Sequence, residues 1–338
     1  MAAFYPLDGA VILQVDHRFA LLDEDGLEEN VPLANAVGSD RTAFMVFGAW
    51  PKTVFAQLMN NAESDANYQQ GALYRYEAGR FKLLKKTGTN VYYGGAYYPG
   101  DGRLGALVWV YRDGASNTWI EILEGSAKAP LPVPATRDDG RVRIGVNIML
   151  ALPTGHLFTY GPDNGTRTEE PAVERWEPGQ PRGVIERPPT PGGTSLGSER
   201  LVGRGPADVY LCGLQESSGA NAAAALYLAR FDGKAWTAIS TPAPVSESRW
   251  STCAITPDGA IWFSVVGGGR ATLYRRAPDG SWASAPLPES PGKEGWSNVL
   301  DMVATTSDDV WVMLEHEAEP ARVVVVRTKP TGEVLRWK

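Results

Sequence analysis

The stretch "ITPDGAIWFSVVGGGRATLYRRAPDGSWASAPLP", residues 255–288, decides the fold of this chain. It contains two PDG turns, which end at Gly259 and Gly280, and each turn is followed by a run of aromatic and β-branched residues. Such runs between Gly, Pro and Asp turns predict short β-strands. Together with the residues just before it, the stretch predicts a unit of four strands, named A to D, over 251–255, 260–266, 271–276 and 281–285.

Both turns recur along the whole sequence. Turns similar to the first end at residues 9, 40, 102, 155, 208, 259 and 309, and turns similar to the second end at residues 26, 79, 125, 179, 233, 280 and 332. The two series alternate strictly, with a period of about 50 residues that is typical of repeat architectures. Gly and Asp are the residues that tight hairpins need. The alternation therefore predicts seven units of one design.

Seven units of four strands predict an all-β fold, a seven-bladed β-propeller of four-stranded antiparallel blades. One such sheet alone is marginally stable, whereas radial packing covers its faces. No segment shows a capped helical period, so little helix is expected. The chain is interpreted as one domain whose first blade closes against the seventh without an exchanged strand. The predicted blades span residues 1–34, 35–88, 89–134, 135–190, 191–243, 244–290 and 291–338.

The segment "TPDGAIWFS", Thr256 to Ser264, resembles the "pDGxlWft" unit of virginiamycin B lyase-like propellers and the "DGnlWigt" unit of sensor-regulator propellers. The segments "TTSDDVWVML" and "GPADVYLCG" are similar but looser versions. The resemblance implies the propeller fold. The lyase chemistry of the first family depends on a His and acidic residues with Mg²⁺ on one rim, and no motif in this sequence matches those residues one by one.

Composition narrows the class of protein. A chain of 338 residues with 43% hydrophobic and 21% charged residues is typical of a globular protein. The net charge of −7 argues against nucleic acid or an anionic membrane as partner. The N-terminus has neither a basic region nor a long apolar run, so no signal peptide is expected. Cys212 and Cys253 lie in apolar runs without a CxxC pair, which predicts two reduced, buried thiols and a cytoplasmic location.

The two rims of a propeller receive different connections. A–B and C–D turns lie on one rim, here called the turn rim, and are short in this sequence. B–C and D–A connections lie on the other, here called the loop rim, and vary in length. The longest predicted loop-rim connections include residues 48–71, 187–200 and 215–224. Variable loops on a rigid scaffold are the usual hosts of binding sites, so the site is expected on the loop rim.

Aromatic and basic residues mark this rim. The candidate ligand-binding residues, most of which precede or begin an A strand, are Trp50, Tyr92, Tyr93, Arg249, Trp250 and Trp296. "RWST" and "GWSN" place Trp250 and Trp296 at the same position of successive units. Aromatic faces with an Arg suit a sugar, an aromatic ligand or a peptide. The alternative is that the Trp residues are wedges that fill the space between blades.

Two histidines are also expected on the loop rim. His17 and His316 belong to the first and seventh units, which ring closure would make neighbours, and Asp16, Glu315 and Glu317 flank them. A metal or acid–base site is one interpretation, and solvated charged loops are the other. Strand alternation lets only some of these side chains converge. His156 opens a B strand on the turn rim and is interpreted as structural.

These observations favour a non-enzymatic propeller that binds a protein or peptide partner, or serves as a subunit of a larger assembly, through its loop rim. No cofactor is expected, because the sequence contains no GxSxG, HExxH or P-loop motif. Two alternatives remain open: a propeller that binds a sugar or small molecule, and a metal-dependent lyase or hydrolase at the channel mouth. Propellers host all three functions.

Overall fold

The described residues of the chain form strands and turns, with no helix among them. The structure is a computed structural model. It describes residues 2–7, 10–15, 18–23, 26–29, 41–49, 53–60, 71–77, 80–87, 91–97, 105–112, 115–122, 131–132, 148–152, 154–163, 171–178, 183–189, 195–216, 224–242, 248–289, 295–306, 309–316, 323–328 and 335–336. These residues confirm the all-β prediction. Over the same ranges, no helical segment meets the length and apolarity that crossing a bilayer requires.

The chain divides into two compact units, and the first unit, Met1–Glu186, contains four sheets. Sheet 1 consists of β1 Ala2–Leu7, β2 Ala10–Val15, β3 Arg18–Asp23 and β4 Gly26–Glu29. Sheet 2 consists of β5 Arg41–Ala49, β6 Thr53–Asn60, β7 Gly71–Glu77 and β8 Arg80–Thr87. Sheet 3 consists of β9 Val91–Tyr97, β10 Gly105–Arg112, β11 Ala115–Ile122 and β12 Leu131–Pro132. Sheet 4 consists of β13 Ile148–Ala151, β14 Leu157–Pro162, β15 Pro171–Trp176 and β16 Val184–Glu186.

The second unit, Arg187–Lys338, contains three sheets. Sheet 5 consists of β17 Ser195–Gly205, β18 Asp208–Glu216, β19 Ala225–Phe231 and β20 Trp236–Ala238. Sheet 6 consists of β21 Ser248–Ile255, β22 Ile261–Gly267, β23 Arg270–Arg276 and β24 Trp282–Pro286. Sheet 7 consists of β25 Trp296–Thr306, β26 Asp309–His316, β27 Val323–Thr328 and β28 Leu335–Arg336.

Every sheet is built from four consecutive strands, each paired antiparallel with its neighbours. Within each unit the first strand of one sheet lies beside the first strand of the next, so β1, β5, β9 and β13 follow one another, as do β17, β21 and β25. The described pairings confirm the four-stranded design, and β1 shows that the N-terminal residues supply the first strand of sheet 1. Completion of one ring by the seven sheets stays a prediction.

The prediction for sheet 2 was wrong in one respect. The turn that ends at residue 40 was interpreted as an A–B turn, but it precedes the first strand, and the real A–B connection is 50–52, between Ala49 and Thr53. The supposed long loop therefore contains β6. The sequence misled because "WPK" lacks the Gly, Asp or Asn that marks the other turns. With residue 52 in place of residue 40, the first two spacings of the series change from 31 and 62 to 43 and 50, closer to the period of about 50.

Apolar residues of facing strands form the cores between successive sheets of the second unit. Strand alternation divides the side chains of sheet 6 between two such cores. Phe263 and Val265 pack toward sheet 5, with Tyr210 and Leu228. Val266 and other residues of the opposite face pack toward sheet 7. The core there includes Ala254, Leu273, Leu287, Trp296, Met302, Val312 and Leu314.

The cysteine prediction was half right. Cys212 of β18 and Cys253 of β21 are buried as expected, at 1% and 2% exposure. They are joined by a disulfide, with 6.6 Å between their Cα atoms, and are not reduced thiols. Their 41-residue separation hid the pairing, since it depends on how sheets 5 and 6 face each other. Disulfides are rare in cytosolic proteins, so the cysteines no longer argue for a cytoplasmic location.

Candidate functional site

The loop rim of sheets 6 and 7 is tightly packed where Trp296 begins β25. The backbone N–H of Trp296 donates to the carbonyl of Gly269, in the B–C turn of sheet 6, at 2.9 Å. The preceding Gly295 has a φ of +86°, and a Cβ there would lie 2.6 Å from the Gly269 oxygen. Only glycine fits both the left-handed backbone and the close approach. The D–A connection is thus fixed against the preceding sheet.

The Trp296 side chain is part of the core between sheets 6 and 7. Its ring is 2% exposed, and its indole N–H donates to the Pro288 carbonyl at 3.0 Å. The ring also meets His316 edge-on, with 6.3 Å between centroids. This is the placement that the wedge interpretation expects. In this position the indole offers no open face to a ligand.

Register places the aromatic residues at different points of their sheets. Tyr92 pairs with Trp109, Trp250 with Val266, and Trp296 with His316. The bulge of sheet 6 contains Arg249 and comes just before Trp250, whereas the bulge of sheet 7 comes just after Trp296. Relative to these bulges Trp296 corresponds to Ser248, so the equivalence of Trp250 and Trp296 predicted from "RWST" and "GWSN" was wrong.

Of the remaining predicted residues, the structure describes Tyr93 but not Trp50 or His17. Tyr93 lies in β9, where it pairs with Val108. Trp50 is outside the described residues, but the connection that contains it joins β5 to β6 and so belongs to the turn rim. The prediction that Trp50 lies in a long loop-rim connection was therefore wrong. His17 is also outside the described residues, between the second and third strands of sheet 1.

His316 is buried without a visible polar partner. It is 2% exposed, and neither of its ring nitrogens has a hydrogen-bond partner among the described residues. Glu315 pairs with Asn298 and turns to the other face, where Ser297 Oγ donates to its Oε2 at 3.4 Å. Asp16 and Glu317 lie outside the described residues. Across the part of the chain that the structure describes, no three His, Cys, Asp or Glu side chains are placed to hold a metal ion.

Three polar residues on the first strands of sheets 5, 6 and 7 form a cluster that the sequence did not reveal. Arg200 Nη1 lies 2.6 Å from Asp301 Oδ1 and donates to Thr252 Oγ1 at 2.8 Å. The same nitrogen is 3.4 Å from the Met302 carbonyl. Asp301 is 6% exposed and also accepts the Met302 N–H at 2.8 Å. One arginine therefore links three successive sheets.

Irregular backbone positions both charged members of this cluster. A bulge interrupts β17 between Gly197 and Arg200, and Ser198 within it has a φ of +54°, which is unusual for a residue with a Cβ. Across the pair, a Cβ on Gly213 would lie 2.9 Å from the Gly197 carbonyl oxygen, so a glycine makes room for the bulge. A second bulge lies just before Asp301 in β25. Strained backbone of this kind is concentrated at functional sites.

The turn rim of sheets 5 and 6 is held by charged groups that bind each other. Arg204 Nε donates to Asp208 Oδ2 at 2.7 Å, and its Nη1 donates to the Pro257 carbonyl of the next sheet at 3.1 Å. Asp208 also accepts from the Tyr210 hydroxyl at 2.9 Å and lies 3.1 Å from Arg230 Nη2. The guanidinium of Arg204 lies so close to Gly259 that a Cβ there would meet it at 2.7 Å.

The turns themselves are closed by short side chains. The Thr256 hydroxyl donates to Asp258, and this hydrogen bond holds the pKa of the carboxyl below its usual range. Asp232 accepts the backbone N–H of Lys234 and of Ala235, both at 2.9 Å. His156 Nδ1 lies 3.0 Å from Thr154 Oγ1 within the A–B turn of sheet 4, and burial lowers its pKa. These contacts agree with the structural role predicted for His156.

No protein-family model matches the chain, and no curated protein matches its sequence. Solved structures do match. Prolyl oligopeptidase B from Galerina marginata aligns with a TM-score of 0.62 at 9% identity, over 99% of this chain and 50% of that one. The BP39L lectin from Burkholderia pseudomallei aligns with a TM-score of 0.57 at 10% identity, over 97% and 95%. The β-propeller domain of the Trilobed protease from Pyrococcus furiosus, described as having an open velcro topology, aligns with a TM-score of 0.52 at 13% identity, over 99% and 93%.

These matches establish the fold class. The four-stranded antiparallel sheets, the neighbouring first strands and the structural matches together define a β-propeller. The chain spans about half the length of the prolyl oligopeptidase that it matches. Because all identities are low, the likeness extends to fold and not to activity. The resemblance to virginiamycin B lyase-like and sensor-regulator propellers is likewise supported at the level of the propeller fold alone.

Proposed function

We propose that this protein is a non-enzymatic binding propeller that engages a protein or peptide partner through its loop rim, without a cofactor. One observation carries the proposal: the second unit presents two unequal rims. On the turn rim, the connections 206–207, 232–235, 256–260 and 277–281 are short, Asp208 binds Arg204, and Asp232 accepts a backbone N–H of its own turn. On the loop rim, the B–C turn 268–269 is short, but 187–194, 217–224, 239–247 and 287–295 are longer. Long connections between rigid strands are the usual hosts of recognition.

The described part of the loop rim also carries exposed charge. Arg270 is exposed at the start of β23, beside the Gly267–Gly269 turn that anchors Trp296. Its side chain has no hydrogen bond or ion pair with a described residue. Glu289 is exposed in the D–A connection that leads to Gly295. Opposite charges on one rigid surface favour a polar, oriented partner over a purely apolar one.

Affinity purification from the native host, with matched charge reversals, tests this function. Arg270→Glu changes the loop rim, and Lys234→Glu makes the same change at an exposed turn-rim position. We expect a stoichiometric partner with the unmodified protein and with Lys234→Glu, and its loss with Arg270→Glu. Absence of any stoichiometric partner, or its loss only with Lys234→Glu, would contradict the proposal.

A glycan-binding propeller is the second candidate, and the structural match to the BP39L lectin supports it. Two aromatic residues near the starts of first strands, Tyr92 in β9 and Trp250 in β21, are its candidate contacts. A glycan array compares the unmodified protein with Trp250→Ala. Binding of a sugar by the first and not by the variant would favour this candidate over the protein partner.

A further inference from the structure

The Arg200 guanidinium makes its hydrogen bonds with one of its three nitrogens. Nη1 lies against Asp301, Thr252 and the Met302 carbonyl, whereas neither Nε nor Nη2 donates a hydrogen bond to a described residue. The side chain is 36% exposed, so solvent reaches it. In a guanidinium, the N–H groups of Nε and Nη2 point to the same side. That edge matches the spacing of the two oxygens of a carboxylate.

The free edge is held in place before any ligand arrives. Asp301 is itself fixed by the Met302 N–H, and the bulge over Gly197–Arg200 sets where the Arg200 side chain leaves β17. An arginine anchored at Nη1 loses less side-chain freedom on binding than a free one. Asp301 offsets much of its charge, so a ligand is selected by planar geometry more than by net attraction.

The position of Arg200 on a first strand allows a ligand to approach it along the channel. β17, β21 and β25 are the first strands of their sheets, and first strands line the central channel of a propeller. A chain segment that docks on the loop rim can extend a side chain or a terminus along these strands. We propose that Arg200 is a carboxylate-binding point, which takes an Asp or Glu side chain or the C-terminus of the partner's segment. This inference rests on the proposed binding function and names the group recognised.

Small probes test the site without the partner. NMR titration at constant ionic strength uses acetyl-Gly-Gly with a free carboxylate, its amide, and N-acetylglutamate amide. We expect carboxylate probes to bind with dissociation constants of about 1 mM, as weak single-point ligands do. The amide of acetyl-Gly-Gly is expected to bind at least about tenfold more weakly, because it cannot pair with both N–H groups. Binding of inorganic phosphate without binding of either carboxylate would overturn the proposal.

Variants locate the binding. Arg200→Gln should abolish it, and Arg200→Lys, which keeps the charge but not the fork, should weaken it about fivefold or more. Gly213→Ala keeps the Arg200 residue, but its Cβ would press on the bulge that positions the Arg200 side chain. This variant should therefore weaken probe binding as well. Melting curves confirm that each variant is folded. Equal affinity of Arg200→Gln and unmodified protein, or equal binding of acid and amide, would overturn the inference.

The two proposals fail separately. Probe binding at Arg200 with no captured partner would retain the carboxylate point and reject the protein-binding function. A captured partner whose affinity is the same for Arg200→Gln and unmodified protein, together with no probe binding, would retain the function and reject the carboxylate point.

Discussion

The turn rim and the loop rim of the second unit differ in what their charged side chains contact. On the turn rim, Asp208 is shared by Arg204, Arg230 and Tyr210, and Asp258 is bound by Thr256 of its own turn. On the loop rim, the side chain of Arg270 is exposed, with no hydrogen bond or ion pair to a described residue. Charges that satisfy each other stabilise a fold, whereas exposed charges on anchored backbone are available to a partner. The contrast supports the proposal that the turn rim stabilises the fold and the loop rim binds a partner.

The largest expected effect lies between the rims, at the disulfide that joins sheets 5 and 6. Cys212→Ser should lower the free energy of unfolding by about 3–4 kcal/mol, because a crosslink across 41 residues restricts the unfolded chain. Cys253→Ser should cost the same, and the double variant little more. Denaturant unfolding with and without reductant measures this. Two free thiols titrated in protein denatured without reductant would show that the bond is absent.

The next largest effect concerns the two PDG turns of residues 255–288. Gly259 and Gly280 both have positive φ, +95° and +89°, so alanine is strained at either position. At Gly259 a Cβ also meets the Arg204 guanidinium at 2.7 Å, whereas at Gly280 the nearest atom is Arg276 Nη2 at 3.3 Å. Gly280→Ala should cost about 1 kcal/mol and Gly259→Ala about 2–3 kcal/mol of unfolding free energy. Equal losses would show that Arg204 does not press on the turn.

A third prediction separates stability from binding. Arg204→Ala on the turn rim should cost about 1–2 kcal/mol, since it leaves Asp208 and the Pro257 carbonyl with fewer donors. Arg270→Ala on the loop rim should change stability by no more than about 0.5 kcal/mol, because its side chain is exposed. Thermal melts give both values. A larger loss for Arg270→Ala than for Arg204→Ala would reverse the assignment of the rims.

Much of this contrast follows from residue types that act locally. Gly or Asp marks the hairpin connections on the turn rim except the A–B connection of sheet 2, residues 50–52, which contains neither. Alternating apolar residues set the strands between them. The four-stranded sheets could therefore be predicted from periodicity alone.

The candidate site could be predicted only in part, because it depends on contacts between sheets. Arg200, Thr252 and Asp301 are far apart in sequence and meet because β17, β21 and β25 are neighbours. Two bulges then set the directions of the charged side chains, and a bulge leaves no clear mark in a sequence. The similarity of "RWST" and "GWSN" did not reveal that the bulges shift Trp250 and Trp296 to different levels, and the burial of Trp296 follows from how closely sheets 6 and 7 pack.

The smallest expected effect concerns acid stability of the turn rim. The pKa of Asp258 is lowered by the Thr256 hydrogen bond, so the ionised turn stabilises the fold above the ordinary Asp pKa. That contribution disappears as the pH falls through the lowered value. Thr256→Val should therefore lower the melting temperature at pH 7 by a few degrees and by less at pH 3, about in proportion to the loss of ionised Asp258. A difference that does not change with pH would mean that the hydrogen bond does not depend on the charge.

Site-specific photo-crosslinking in the native host tests whether a partner binds the loop rim and not the turn rim. A photoreactive residue is placed at Arg270 or Glu289 on the loop rim, and at Lys234 or Asp279 on the turn rim, all exposed positions. We expect one crosslinked partner from both loop-rim positions and none from the turn-rim positions. Crosslinking of the same partner from the turn rim alone, or from neither rim, would contradict this prediction.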